Sequence, residues 1–376
     1  MWVVAALAGI AAVASTALPW YDAVDVTTRI GPILAFLASI TVLAHVADGA
    51  GVFDVIGIRA AQAAGGSTRR LFLLVTAIAT LLTITLSLDT TAVLFTPVVL
   101  ALCGAITVDA RPFAYMTVWI ANGASLLLPI SNLTNLLAVD HLSGVRTVDY
   151  VRRMALPECA AVVVILVFSL LVFRSRLHGR YLAPKPYVVT DRVTFWVAAI
   201  GCTVVAPVSL VGVTPWKVAL PTAVLVAAFA AYRHGPAVLA RSVPWRIVLA
   251  LEGIFLAIGA LGRHGLDDVL RHVAGHHAFL TEIVGAAGGN VVNNLPAYVT
   301  LERAVPPHHA DELLALLLGT NVGTMILVTG SLATVLWRDR CKARGLQIRA
   351  GEFARYGCVL VPVLLAATYG ALLVTS

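Results

Sequence analysis

Apolar residues fall in long blocks, most of them close to the ~20 residues that cross about 30 Å of hydrocarbon as a helix. In chain order they predict membrane helices near residues 3–19, 31–48, 112–139, 155–173, 192–212, 216–233, 245–262, 312–337 and 354–374. Two blocks are interrupted in the same way. Residues 122–135 read NGASLLLPISNLTN, and residues 321–334 read NVGTMILVTGSLAT. Each opens on Asn, passes a helix breaker and closes on a Ser…Thr pair, Ser131 with Thr134 and Ser331 with Thr334. Amides and hydroxyls at bilayer depth cost free energy unless they find partners, and Pro or Gly there frees backbone carbonyls. One such broken helix in each half predicts a solute site between inverted repeats of a secondary transporter.

Composition sharpens the class. Hydrophobic residues are 60% of the chain and charged ones 12%, about half the usual soluble share. The expected fold is an all-α polytopic membrane protein, and the first block, with no charged segment before it, reads as a retained span and not a cleaved signal. Basic residues concentrate in residues 174–192 (Arg174, Arg176, Arg180, Lys185, Arg192), 233–246 and 338–355, and at Arg69–Arg70. Placing all four inside satisfies the positive-inside rule, which sets a plasma-membrane topology. It also accounts for the net charge of +7, so no nucleic-acid partner is implied.

With Arg69–Arg70 and the turn at Asp109–Arg111 both inside, residues 71–108 must enter and leave on one side. They form a re-entrant hairpin whose arms meet at Ser87-Leu88-Asp89-Thr90-Thr91. Residues 279–301 form a second hairpin, entered from outside, meeting near Gly288-Gly289-Asn290. The chain therefore divides into a first inverted repeat, 1–173 (hairpin 71–108, broken helix 112–139), a cytoplasmic linker, 174–191, and a second repeat, 192–376 (hairpin 279–301, broken helix 312–337). Repeat one has two spans before its hairpin and repeat two has three. One N-terminal span is missing from the symmetry, either absent or lost to a late start codon.

The candidate chemistry sits at these breaks. Asp89, with Thr90 and Thr91, is either an ionisable group placed at depth for function or the N-cap of the returning arm, which Pro97 would bend. Asn132, Thr134 and Asn135 follow Pro129, so the helix should open over residues 125–131. There they either bind a cation or hydroxylated solute or satisfy one another across packed helices. Asn293 and Asn294 read as caps and ligands of the second hairpin, with Pro296 as the first residue of its returning arm and Gly288–Gly289 and Asn290 permitting a tight tip. Glu252, about 9 Å past Arg246 at 1.5 Å per residue, is a coupling acid or that arginine's partner. The outer-loop histidines (His264, His272, His276, His277, His308, His309) read as solvated, and the five scattered cysteines as small packing residues. Neither a P-loop nor a catalytic triad nor an HExxH run occurs; no cofactor, metal site or enzymatic activity is expected.

These same residues carry a family resemblance. LSLDTTAVLFTPVVLAL resembles the first hairpin of the ArsB-type arsenite permeases, LPISNLTNLLAVD their first broken helix, NNLPA their second hairpin and TGSLATVLW their second broken helix. PWRIVLALEGIFLAIGALGRHGL is similar too, and the likeness runs from about residue 25 onwards. The family lies in the ion-transporter superfamily with NhaD-type sodium/proton antiporters and dicarboxylate carriers. The resemblance implies an elevator-type homodimer exporting arsenite or antimonite, driven by protons, to which some members add an ATPase partner. It carries site roles to Asp89, Asn132, Thr134, Asn135, Asn293, Asn294 and Ser331. Many members have an acid where Asn321 stands, and a proline and a basic residue where Thr324 and Met325 stand. The alternatives are sodium/proton exchange, short of carboxylates here, and anion (carboxylate) transport, for which no intramembrane Arg or Lys is in view.

Overall fold

The computed structural model describes residues 2–142, 146–266, 277–306 and 309–375. Apart from one isolated bridge between Ser67 and Arg180, the regular structure among them is helical. Seven helices are long and apolar enough to cross a membrane, so the chain is a multi-pass α-helical membrane protein. In order they are α2 (Trp20–Gly49), α4 (Thr68–Thr85), α8 (Thr147–Val172), α9 (Arg192–Leu210), α10 (Pro215–His234), α12 (Trp245–Leu261, extended by a π turn) and α17 (Ala350–Thr375). Between them stand shorter pieces: α1 (Trp2–Ala14), α3 (Val52–Ala63), α5 (Thr96–Ala105) and α11 (Ala237–Ser242). The broken helices are α6 (Arg111–Gly123) with α7 (Leu133–His141), and α15 (Ala310–Val322) with α16 (Leu332–Ala343). The second hairpin is α13 (Ala278–Val292) with α14 (Asn294–Glu302).

The basic loops gather at one end. Thr68 N donates to Gly179 O at 3.1 Å and Tyr181 N to Gly66 O at 2.9 Å; Arg176 pairs with Asp109 at 3.0 Å and Arg233 with Asp191 at 3.1 Å. Both feet of the α4–α5 hairpin therefore rest on the 174–191 linker. Asp191 also caps α9, accepting from Val193 N and Thr194 N. The Thr194 hydroxyl, then its backbone N–H and Arg233, hold this carboxyl below the usual carboxylate range. That cap is thus fully formed at neutral pH and is lost only as pH falls through the depressed value. The opposite end is tied by Arg263 with Asp22, Arg153 with Asp311, and Arg29 with Asp140 and Glu302.

Several sequence expectations change here. The block at 3–19 forms a helix shorter than the predicted span. α1 has 13 residues, about 20 Å of helix, and ends where Thr16 takes φ +60 ahead of Pro19. The 31–48 block is the inner part of the 30-residue α2, because the polar stretch before it stays helical. α3, in a stretch to which the apolar pattern assigns no element, intervenes before the first hairpin.

Glycines in the second hairpin serve approach, not the turn. The turn falls at Asn293, φ +91, and Gly288, Gly289 and Asn290 lie inside α13; Pro296 is the third residue of α14 and not its first. A Cβ on Gly319 would stand 2.0 Å from Glu282 O, and one on Gly289 2.3 Å from Thr324 Cγ2. α13 and α15 touch backbone to backbone, the small-residue mode of packing in lipid. Gly319→Val should therefore force the pair apart, costing at least the ~1–3 kcal/mol of core overpacking. Its signature is a lowered melting temperature in detergent; an unchanged one would mean that the helices separate freely.

Candidate functional site

The site is built at the two breaks. α6 stops at Gly123, and the chain runs non-helically to a short 3₁₀ turn at Pro129–Ser131 before α7 restarts, which is the opening expected over 125–131. α15 gives way after Val322 to two 3₁₀ turns, Gly323–Met325 and Val328–Gly330. Both restarts use an extended residue as N-cap, Asn132 at φ −150 and Ser331 at φ −140.

The polar side chains meet across the breaks. Asn122 Nδ2 donates to Thr334 Oγ1 at 3.2 Å, while Thr134 Oγ1 donates to Asn321 Oδ1 at 2.8 Å. The leading Asn of each broken helix thus bonds the closing Thr of the other. Asn321 is the hub: its Oδ1 also accepts from Asn132 Nδ2 at 3.1 Å, and its Nδ2 donates to Asn135 Oδ1 at 3.0 Å. All of these groups are buried.

The freed backbone is satisfied by side chains, as it must be away from water. Asn135 Nδ2 donates to Ser125 O and Leu128 O at 2.6 and 2.9 Å. Leu126 N donates to Glu158 Oε2 and Leu126 O accepts from Tyr150 Oη, both at 2.9 Å. At the second break Asn290 Nδ2 donates to Gly323 O at 2.8 Å, and its Oδ1 accepts from Leu327 N at 2.9 Å. The carbonyls of Ser125, Leu128 and Gly323 are therefore already engaged by amides.

The hairpin tips close on the breaks. Ser131 Oγ donates to Ile84 O of α4 at 2.9 Å, and Asn293 Nδ2 to Thr329 O at 3.1 Å. Each tip holds a non-glycine at positive φ, Ser87 at +145 and Asn293 at +91, strain of the kind that collects at ligand sites. Thr91 Oγ1 meets Thr83 Oγ1 at 2.8 Å, tying the first hairpin's arms together, and Thr90 lies against Ser87. Ser87, not Asp89, caps the returning arm: Thr90 N donates to Ser87 Oγ at 3.4 Å, and Asp89 makes no capping bond. Residues Thr90–Phe95 open into a π turn just before Pro97, with Thr96 N reaching back to Thr91 O.

Three candidate groups keep polar capacity. The Asp89 carboxylate and the Asn294 amide make no protein hydrogen bond among the described residues, and Ser331 Oγ is buried without a partner. Glu252 lies apart: its Oε1 accepts from Thr27 Oγ1 at 2.6 Å, so it pairs with α2 and neither with Arg246 nor with the breaks. His272, His276 and His308 fall outside the described residues; His264 bonds Ala260 O and His309 bonds Glu312.

Glu158, Tyr150 and Glu282 were not singled out from sequence. Glu158 was legible as an acid inside an apolar run, but the predicted span began only three residues before it; α8 begins eight residues earlier still. Glu282 is fully buried, with Thr368 its neighbour on α17. No cluster of three potential metal-ligating side chains occurs among the described residues.

The sequence is similar to known membrane proteins. The chain is 26% identical over 370 residues to an arsenical pump membrane protein of Escherichia coli, covering 90% of this chain and 85% of that one. It is 25% identical over 373 residues to a 46 kDa membrane protein of Mycobacterium leprae (89% and 84% covered), and 23% identical over 376 residues to a putative arsenical pump membrane protein of Bacillus subtilis (87% and 84%). The resemblance carried by the hairpin and broken-helix motifs therefore extends through most of the sequence. The citrate transporter family model matches residues 1–317, and the chain belongs to this family of membrane transporters.

Proposed function

We propose that the protein is a secondary active transporter exporting arsenite or antimonite across the plasma membrane, driven by inward proton movement. The observation that carries this reading is the reciprocal network in which Asn122 reaches Thr334 and Asn321 reaches Thr134, Asn132 and Asn135. It also supports reading residues 1–173 and 192–376 as inverted repeats, with hairpins 71–108 and 279–301 re-entrant. Arsenite at neutral pH is an uncharged trihydroxide. Each of its hydroxyls needs both donor and acceptor once stripped of water, and the Asn294 amide and Ser331 hydroxyl, which no protein hydrogen bond engages among the described residues, offer both without charge. Thiols would hold trivalent arsenic too tightly for release, and the site contains none. Asp89, at the first hairpin tip and without a protein hydrogen bond among the described residues, is the residue assigned to proton coupling. Asn294 and Ser331 are assigned to the solute.

Chains of this kind are read as homodimers, and any ATPase partner is an addition to a proton-driven carrier. The family description favours a second reading, a carboxylate such as citrate, and sodium/proton exchange is a third. Neither has the supporting side chain: no Arg or Lys hydrogen-bonds the network among the described residues, and Asn321 is uncharged. The test is radiolabelled arsenite uptake into everted vesicles without ATP. Uptake that an uncoupler abolishes, that antimonite competes for and citrate does not, is the expected result. Citrate uptake without arsenite uptake would replace the reading with the carboxylate one.

A further inference from the structure

We infer that a cavity of about 460 Å³ at the basic end of the molecule is the cytoplasmic vestibule through which the solute reaches the site. Its lining includes Asp48, near the end of α2, Asp54 of α3, and Arg340 and Arg344, at the end of α16. The floor is the returning arm of the first hairpin at Val93 and Pro97.

Two of these elements also hold the site, at their deep ends. Arg340 lies nine residues beyond Ser331 along α16, about 13 Å at 1.5 Å per residue, and Pro97 lies eight beyond Asp89 along an arm that begins with the π turn. Val93 follows Asp89 by four residues and Pro97 follows Val93 by four, the spacing that keeps side chains on one helix face. Asp89, Val93 and Pro97 are each partly exposed, while Ala92, Phe95 and Thr96 between them are buried. The accessible face of this arm thus runs from the cavity towards Asp89.

The walls also bear on what enters. Two carboxylates and two guanidiniums line it beside His45, so the formal charges cancel with that imidazole neutral, and none of the four is in an ion pair among the described residues. A vestibule of this kind offers donors and acceptors to a hydroxylated neutral solute and concentrates neither anions nor cations. This choice of solute rests on the arsenite reading above; the access route does not.

The experiment is cysteine labelling in a chain whose five native cysteines are replaced by alanine. Val93→Cys and, separately, Pro97→Cys are exposed in everted and right-side-out vesicles to two membrane-impermeant methanethiosulfonates, one anionic and one cationic. Leu81→Cys, on the exposed flank of α4, is the lipid-facing control. Because only a hydrated thiol ionises and reacts, a vestibule predicts labelling at least ~10-fold faster than at Leu81→Cys in everted vesicles, and none in right-side-out ones. Equal, slow labelling at all three positions overturns the vestibule, whether or not arsenite is transported. Two reagents reacting within ~3-fold of each other fit walls of cancelling charge; a strong preference for the anionic one would leave the route intact and overturn the neutral-solute assignment.

Discussion

Replacing Asn321 with leucine should abolish arsenite uptake, reducing it ~100-fold or more, and should lower stability at the same time. Three bonds vanish with the amide, those to Asn132, Thr134 and Asn135 at 3.1, 2.8 and 3.0 Å. In a soluble core each orphaned group would cost about 1–3 kcal/mol. Measured interhelical bonds in membranes average only ~0.6 kcal/mol, so a loss of about 2 kcal/mol in total is expected. Transport suffers more than folding, because the hub sets the geometry of both breaks at once. Asn321→Asp distinguishes the two effects. It keeps the Oδ1 acceptor for Asn132 and Thr134 and loses only the donor to Asn135. Uptake assays with thermal melts of all three proteins check this; wild-type uptake by the leucine variant would reduce the network to packing.

Asp89→Asn should stop proton-driven uptake while leaving the fold unchanged. The usual worry with such a residue is that it caps a helix, in which case its loss would unfold the tip. Here Ser87 does the capping and Asp89 makes no protein hydrogen bond among the described residues, so its loss strands no partner. The melting temperature should match that of the native chain within the ~0.5 kcal/mol typical of innocuous changes. Unchanged flux under a proton gradient would remove Asp89 from coupling.

What the sequence could and could not disclose follows from the periodicities it carries. Helix breaks were legible because Pro129 and the Gly330–Ser331 pair interrupt apolar runs flanked by amides, and the identities of Asn132, Thr134, Asn135 and Asn321 are meaningful only there. The end of α1 was hard to read: residues 3–19 are apolar but for Ser15 and Thr16, and the break falls at Thr16 with its positive φ, just ahead of Pro19. The second tip was misplaced because glycine serves two purposes. Gly288 and Gly289 resembled turn formers, yet Gly289 and Gly319 let helices touch, a tertiary requirement without a local signature. Asn290 was noticed for the wrong reason, since its amide spans Gly323 and Leu327 across the break and not a turn of its own. Glu158 escaped because its role, holding Leu126 N–H, depends on which residue lies opposite it.

The most direct test of the whole account uses purified protein in proteoliposomes with a pH-sensitive dye inside, no ATP and no sodium. Imposing an arsenite gradient should drive proton movement in the opposite direction, with no response to a citrate gradient and none in Asp89→Asn. Silence to arsenite, with proton movement on adding sodium or citrate, would contradict it.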